Sequence, residues 1–236
     1  MIITFISDTH NKHKQIESSL QGGEFLIHAG DISSMGYKHE IQQFCKWFNS
    51  LTNYTHKIFI AGNHDWGFQI NANEISEILN SYKTIDYLQD EMMTFYYDGP
   101  NGDFPDKTIR VYGTPWQPEF CNWAFNLPRN GVELLEKWNV IPENIDILIT
   151  HSPAWGILDD VEGRRGQHLG CELLIERIQA IRPKIHVCGH IHSGYGYYFD
   201  GYTHFINASV LNEQYIYTQK PLTIEWDRVT NKLTWL

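Results

Sequence analysis

The sequence predicts an α/β fold, a four-layer αββα sandwich of two mixed β-sheets flanked by helices, and three observations predict it. Five short apolar runs rich in Ile, Val or Phe each close in a small or polar turn, as buried strands do. Stretches with the 3.6-residue apolar period of helices lie between them. The remaining length reads as further β structure, expected to form a second sheet packed on the first with helices outside.

In chain order, "MIITFIS" (1–7) and "EFLIHAG" (24–30) are the first two buried strands. "HEIQQFCKWFNSL" follows as a helix with Ile41, Phe44, Phe48 and Leu51 on one face. "HKIFIAG" (56–62) is the third strand, and "NANEISEILNSY" offers Asn71 or Asn73 as N-cap ahead of Ile75, Ile78, Leu79 and Tyr82. "MTFYYDG" and "TIRVYGTP" read as β segments on either side of the turn-rich stretch "YYDGPNGDFPDKT" (96–108). "IDILIT" (145–150) and "KIHVCG" (184–189) are the last two buried strands. Between them, "CELLIERIQAIRP" aligns Leu173, Leu174, Ile178 and Ile181 on a helix that Pro183 stops. "GYGYYFDGYTHFINAS", "LTIEWDR" and "KLTWL" complete the β content. Strands alternating with helices imply substantially parallel pairing. With no linker, repeat or low-complexity segment, residues 1–236 are expected to form a single domain.

A hydrophobic content of 42% and a charged content of 19% are those of an ordinary globular protein. The net charge of −10 argues against long nucleic acids, whose phosphates dominate their binding. Cys45, Cys121, Cys171 and Cys188 are scattered, without a pairing pattern or a CxxC, and read as free thiols. The opening residues lack a basic lead and a cleavage site, and no apolar run approaches the roughly 20 residues of a membrane span. A cytoplasmic protein without a membrane partner is therefore expected. The oligomeric state has no signature in the sequence.

The residues that follow the five strands are Asp8-Thr9-His10, Asp31, Asn63-His64-Asp65, His151 and His190-Ile191-His192. Every one of these groups carries a metal ligand or a proton-transfer side chain. Sites in open α/β sheets form at the carboxyl ends of strands, so the fold itself gathers these residues into one cluster. A lone His after a strand is usually a surface or hydrogen-bonded residue, and a lone Asp before a helix is usually an N-cap. Recurrence at all five strands is what marks a site. Gly30, Gly62 and Gly189 immediately precede Asp31, Asn63 and His190, where converging ligands need tight backbone geometry. His190 and His192, two apart, project from the same side of an extended chain.

These blocks, D-x-H, G-D, G-N-H-D, H and G-H-x-H in that order, resemble the signature of the calcineurin-like metallophosphoesterases. The match spans Asp8 to His192. "GDISSMG" lacks the GDxxDRG continuation of the serine/threonine protein phosphatase branch. "HAGD", "IAGNHDW", "GTPWQPEF", "NWAFNLP", "DILITHSP" and "KIHVCGHIHSGYG" look like the smaller subfamily of metallophosphoesterase-domain-containing proteins, class III cyclic nucleotide phosphodiesterase-like enzymes. The resemblance implies two divalent metal ions, with Mn²⁺ the expected ion in vitro and Fe or Zn²⁺ the alternatives. It implies that Asp31 bridges the two, that Asp8, His10 and His192 complete one site, and that Asn63, His151 and His190 complete the other. Some animal members carry glycine where this chain has His190, so the second site is here fully furnished.

Phosphodiester hydrolysis explains such a set. Two cations about 3.5–4 Å apart acidify a water held between them and clamp the phosphoryl oxygens during in-line displacement. The resemblance thus implies a phosphodiesterase for small cyclic nucleotides (2′,3′- or 3′,5′-linked), attacking with the hydroxide between the metals. His64, between Asn63 and Asp65, is placed to protonate the leaving oxygen; Asp65 orients it or caps a helix. Alternatives on the same site are a phosphomonoesterase or a nuclease, and, from another class, a non-catalytic scaffold, in which the ligands would be eroded. A structural zinc site would favour cysteine-rich tetrahedra, which the cysteine spacing excludes.

The partner expected is a small phosphoester. Trp116, Phe120, Trp123 and Phe125 could form an aromatic wall against a nucleobase, with Trp116 its candidate contact. Arg164, Arg165 and His168, in the glycine-punctuated "EGRRGQHLG", are candidates for a substrate phosphate. Asn207 in "INAS" is a weaker one. His28 and His186 lie inside apolar strands and read as hydrogen-bonded core residues; His13, His39, His56 and His204 have no motif context.

Overall fold

In the computed structural model, which describes residues 1–98, 107–161 and 166–236, the five apolar runs become strands whose C-terminal halves are buried on both faces. The strands in chain order are β1 (Ile2–Ile6), β2 (Gly23–His28), β3 (Tyr54–Phe59), β4 (Asp86–Tyr87), β5 (Glu91–Tyr96), β6 (Thr108–Thr114), β7 (Gln117–Pro118), β8 (Asn126–Leu127), β9 (Ile147–Thr150), β10 (Ile185–Cys188), β11 (Gly196–Phe199), β12 (His204–Asn207), β13 (Leu222–Asp227) and β14 (Lys232–Trp235). The α-helices are α1 (His13–Ile16), α2 (Lys38–Ser50), α3 (Trp66–Ile70), α4 (Ala72–Asn80), α5 (Val132–Asn139) and α6 (Glu172–Ile181).

One sheet runs β14-β13-β1-β2-β3-β4 and the other β11-β12-β10-β9-β6-β5. In the first, β1 to β4 pair in parallel while β13 and β14 return antiparallel. In the second, β6, β9, β10 and β12 are parallel, with antiparallel β5 and β11 at the edges. The period-2 alternation of a strand assigns its residues to layers. Phe25, Ile27, Ile58 and Ile60 of the first sheet meet Ile147, Ile149, Ile185 and Val187 of the second in a central apolar layer. Their neighbours Leu26 and Phe59 face outward onto Phe44, Phe48 and Ile75 of α2 and α4. On the far side, Leu148 and Phe205 pack against Leu134, Trp138, Leu174 and Ile178 of α5 and α6. The result is the expected helix–sheet–sheet–helix order.

All the parallel strands of both sheets that carry the motifs end toward the same region. The two sheets are tied there by the parallel bridge between Ser7 and Ser209 and by the Val210 N–H donating to the Ser7 carbonyl at 3.0 Å. Local departures from expectation are few. Helix α5 forms in a stretch for which the sequence predicts no element, with Leu134 and Trp138 one turn apart and fully buried. Helix α4 begins at Ala72 without a side-chain cap from Asn71, and Asn73 lies inside its first turn. Most of the 96–108 loop falls outside the described residues. The four cysteines are free thiols. Among the described residues no helix is long and apolar enough to cross a membrane.

Candidate metal centre

The turn after β1 is stitched to the turn after β2: the Asp8 N–H donates to the Gly30 carbonyl (3.0 Å) and the His10 N–H to the Asp31 carbonyl (3.1 Å). To bring their side chains inward, Asp8, His10, Asp31 and His190 adopt φ of 54°, 38°, 56° and 68°. Left-handed backbone costs a non-glycine residue roughly 1–2 kcal/mol, and such strain concentrates at functional sites. The close approach also explains two glycines. A Cβ on Gly62 would lie 2.3 Å from Asp31 Oδ1, and one on Gly30 would lie 2.6 Å from His151 Nδ1.

Four histidines are held in the same manner. The Nδ1 of His10, His64, His151 and His192 lies against the backbone carbonyls of Ser33 (3.2 Å), Ser34 (2.8 Å), Ala29 (2.9 Å) and Asn212 (2.9 Å) respectively. A carbonyl only accepts, so Nδ1 carries the proton and each Nε2 lone pair is left for the interior in the neutral ring. His10 Nε2 is buried without a hydrogen-bond partner, 3.6 Å from Asp31 Oδ2. His151 Nε2 lies 3.3 Å from Asp31 Oδ2 and 3.0 Å from Asn63 Oδ1; His192 Nε2 lies 3.4 Å from Asp8 Oδ1. The His190 ring is 5.1 Å from that of His151. Donor atoms of Asp8, His10 and His192 lie within 4.8 Å of one another, as do those of Asp8, Asp31 and His151, and those of His10, Asp31 and His64. Metal-ligating imidazoles are oriented in just this way, by a carbonyl or carboxylate on the other nitrogen. Nitrogen and oxygen donors with an orphaned buried Nε2 among them fit a pair of divalent cations.

Electrostatics agree. Burial opposes ionisation of Asp8 and Asp31, yet His192 beside the first and His151 beside the second hold both carboxyls well below the usual range. For His151 and His192, burial favours the neutral ring, but the adjacent carboxylates prevail and lift both to about 9. Burial keeps His10 down at about 4 and His190 at about 3. Protons on His151 and His192 therefore compete with metal. Below pH 9 each ion must displace one, so apparent metal affinity is expected to rise with pH between 6.5 and 8.5, by up to about tenfold per unit. Calorimetric titration with Mn²⁺ at several pH values checks this; an affinity flat across that range would contradict it.

The remaining expected residues distribute unequally. His64 joins the cluster, its ring 4.6 Å from His10 and stacked on Trp123 at 4.1 Å. Asp65 occupies the N-cap position of α3, but its side chain makes no capping hydrogen bond and none to His64. Its carboxylate accepts the N–H groups of Gly62, Ile32 and Ser33 and the Ser33 hydroxyl, at 2.6–3.1 Å, and so pins the turn after β3 to the turn after β2. Trp116 faces away from the cluster: its indole N–H donates to Asp90 Oδ2 (2.9 Å), and Lys137 lies 4.3 Å above its ring. Phe125 is fully buried, leaving Phe120 and Trp123 of that segment near the histidines. His168 is tied to Asp159 at 2.8 Å and is not among the residues that line the cluster's cavity. Arg164 and Arg165 lie outside the described residues. His28 and His186 are buried, bonded to Thr9 (2.9 Å) and Thr150 (2.8 Å).

Ser209 and Asn207, outside the five motif blocks, support the cluster. The Ser209 hydroxyl lies 2.7 Å from Asp8 Oδ2 and 2.9 Å from Asn207 Oδ1, while Asn207 Nδ2 donates to the Ile191 and Leu158 carbonyls. Together they fix Asp8 and the His190–His192 turn. The signal was only the small polar run "NAS" at the end of a strand beside β10. Tyr215, which nothing in the sequence marked, lies 4.8 Å from His10 and 5.3 Å from His192.

The two-sheet sandwich and this cluster define a metal-dependent phosphoesterase, and the chain belongs to the calcineurin-like phosphoesterase family, whose model matches residues 1–194. Within that family, which is dinuclear and metal-dependent, it falls with the metallophosphoesterase domain-containing proteins. It is 40% identical over 230 residues to metallophosphoesterase domain-containing protein 1 of Homo sapiens, covering 93% of this chain and 69% of that one. It is 37% identical over 238 residues to UPF0046 protein T07D4.2 of Caenorhabditis elegans, covering 93% of this chain and 58% of that one. Among solved structures, TT1561 of Thermus thermophilus superposes with a TM-score of 0.64 at 13% identity, over 99% of this chain and 97% of that one, a likeness of fold.

Proposed function

We propose that this phosphoric ester hydrolase is a phosphodiesterase for small substrates, cyclic nucleotides among them, working with two Mn²⁺ ions in vitro. The observation that carries the reading is the set of four histidines with Nδ1 anchored on backbone carbonyls, of which His10, His151 and His192 have Nε2 facing two buried carboxylates. The cluster opens into a cavity of about 440 Å³, which suits a small ligand. With the net charge of −10, this favours a small phosphoester over a long nucleic acid.

In this reading Asp8, His10, Asp31 and His192 hold one ion, and Asp31, Asn63, His151 and His190 the other. Bound there, two divalent ions would supply a nucleophile at neutral pH and would neutralise charge on the phosphoryl oxygens. The chain's own contribution is placement. Asp31, with Oδ2 between His10 and His151, sets the spacing of the two halves. His64 stands at the cavity wall with Nδ1–H held by the Ser34 carbonyl and its ring fixed by Trp123, so Nε2 is the free position. The imidazolium form, with a proton on both nitrogens, gives the Nε2 proton to the departing oxygen and leaves the neutral Nδ1–H ring.

The test is to strip the protein, load it with Mn²⁺ and compare hydrolysis of bis-p-nitrophenyl phosphate with that of p-nitrophenyl phosphate. Faster turnover of the diester is expected, and would lead on to 2′,3′- and 3′,5′-cyclic nucleotides. Faster turnover of the monoester would overturn the substrate class and keep the metal site. Inertness toward both with two ions bound would favour a scaffold.

A further inference from the structure

Among the described residues, two large aromatic side chains remain exposed on the wall of the metal cavity, Tyr215 at 41% and Phe120 at 51%. They stand over different halves of the cluster. The Tyr215 ring lies edge-on to His10 (4.8 Å) and His192 (5.3 Å), while Phe120 lies 5.9 Å from His190. Apolar surface left in water beside a polar site is what a ligand's own apolar part would cover.

Both rings are delivered by built turns. Tyr215 has φ of 58°, a costly geometry for a bulky residue. The turn that imposes it is closed by Asn212, whose Oδ1 accepts the Gln214 and Ile216 N–H groups at 3.0 and 2.9 Å. The Tyr215 N–H donates to the Asn212 carbonyl (2.8 Å), and the Lys12 ammonium donates to the Tyr215 carbonyl. That same Asn212 carbonyl orients His192, so Tyr215 is registered to a member of the metal cluster. Phe120 is held from the other side. Asn126 Nδ2 donates to the Phe120 and Cys121 carbonyls at 3.0 and 3.1 Å, and β7 and β8 clamp the segment at its ends. Pre-ordered rings lose little freedom when a flat group packs on them.

We propose that Tyr215 and Phe120 are specificity residues that pack on a planar aromatic group of the substrate, making aryl or nucleoside phosphoesters the preferred class over alkyl ones. The inference rests on the phosphoesterase reading of the cavity, but not on its preference for diesters.

Phosphonates test it without turnover, because their C–P bond is not cleaved by ester hydrolysis. Binding of phenylphosphonate and methylphosphonate to the Mn²⁺-loaded protein is measured by calorimetry, for the natural chain and for Tyr215→Ala, Phe120→Ala and the double variant. Phenylphosphonate is expected to bind roughly 5–150-fold tighter, the range of one aromatic stacking contact. The double variant is expected to narrow that ratio to within about twofold, with methylphosphonate and Mn²⁺ affinities held. Equal affinities in the natural chain, or a ratio retained by the double variant, would overturn the proposal. So would loss of methylphosphonate binding in the variants, since the rings would then be supports of the metal cluster. A protein that shows the expected ratio but cleaves only monoesters would sink the diester reading and leave this one standing.

Discussion

The Asp31→Asn variant is expected to bind its metals poorly and to lose at least about 10³-fold in turnover, more than the roughly 10–100-fold that follows loss of an outer hydrogen bond to a ligand. Asp31 is the junction of the site. Oδ1 accepts the His64 N–H at 2.8 Å, and Oδ2 faces His10 Nε2 at 3.6 Å and His151 Nε2 at 3.3 Å. Those two histidines follow strands of different sheets, so one oxygen faces both halves of the cluster. An amide at this position removes the negative charge that offsets two cations, and its NH₂ can donate to the imidazole lone pairs that metal requires. The variant site then satisfies itself, and metal must break hydrogen bonds to enter. Metal content after dialysis and turnover of bis-p-nitrophenyl phosphate are the measurements. Retention of two ions with activity within tenfold of the natural chain would remove Asp31 from the shared position.

How much of this was legible in the sequence follows from what each residue depends on. Strands β1, β2, β3, β9 and β10 were readable because both faces of their C-terminal halves are buried, which leaves unbroken apolar runs in the chain. Their ends could then be pooled into one site by topology alone. Asp65 illustrates a limit. Its neighbour in sequence is His64, but its side chain reaches N–H groups of a turn some thirty residues earlier, and backbone donors leave no mark on a sequence. Trp116 illustrates another: an aromatic stretch is readable, the direction of each ring is not, and only Phe120 and Trp123 of that stretch point toward the histidines. Tyr215 was beyond reach for a related reason, since a left-handed turn closed by Asn212 decides where its ring goes.

The glycine before His190 yields the second large effect. Gly189→Ala is expected to lower the melting temperature by roughly 2–12 °C, from the roughly 1–3 kcal/mol that overpacking costs, and to weaken binding of metal at the Asp8 side. Gly189 does not occupy the left-handed region, so the cost is steric rather than conformational. A Cβ there would fall 2.1 Å from Ser7 Oγ, 2.2 Å from Asp8 Oδ2 and 2.7 Å from Ser7 Cβ. The Ser7 hydroxyl could rotate away, but its Cβ moves only with the backbone, and that backbone bridges to Ser209 across the two sheets. The Asp8 carboxylate is equally confined, by the His190 N–H at 3.1 Å and the Ser209 hydroxyl at 2.7 Å. Relief of the clash must therefore move either the junction of the sheets or a carboxylate of the cluster. Gly156→Ala is the matched control. Gly156 has φ of 79° but open space around its would-be Cβ, so alanine there meets only backbone strain of roughly 1–2 kcal/mol and leaves metal binding alone. Thermal melts of both variants, with and without Mn²⁺, separate the two costs. If Gly189→Ala gained as much from Mn²⁺ as the natural chain does, the packing of Gly189 against Asp8 would have no bearing on the metal centre.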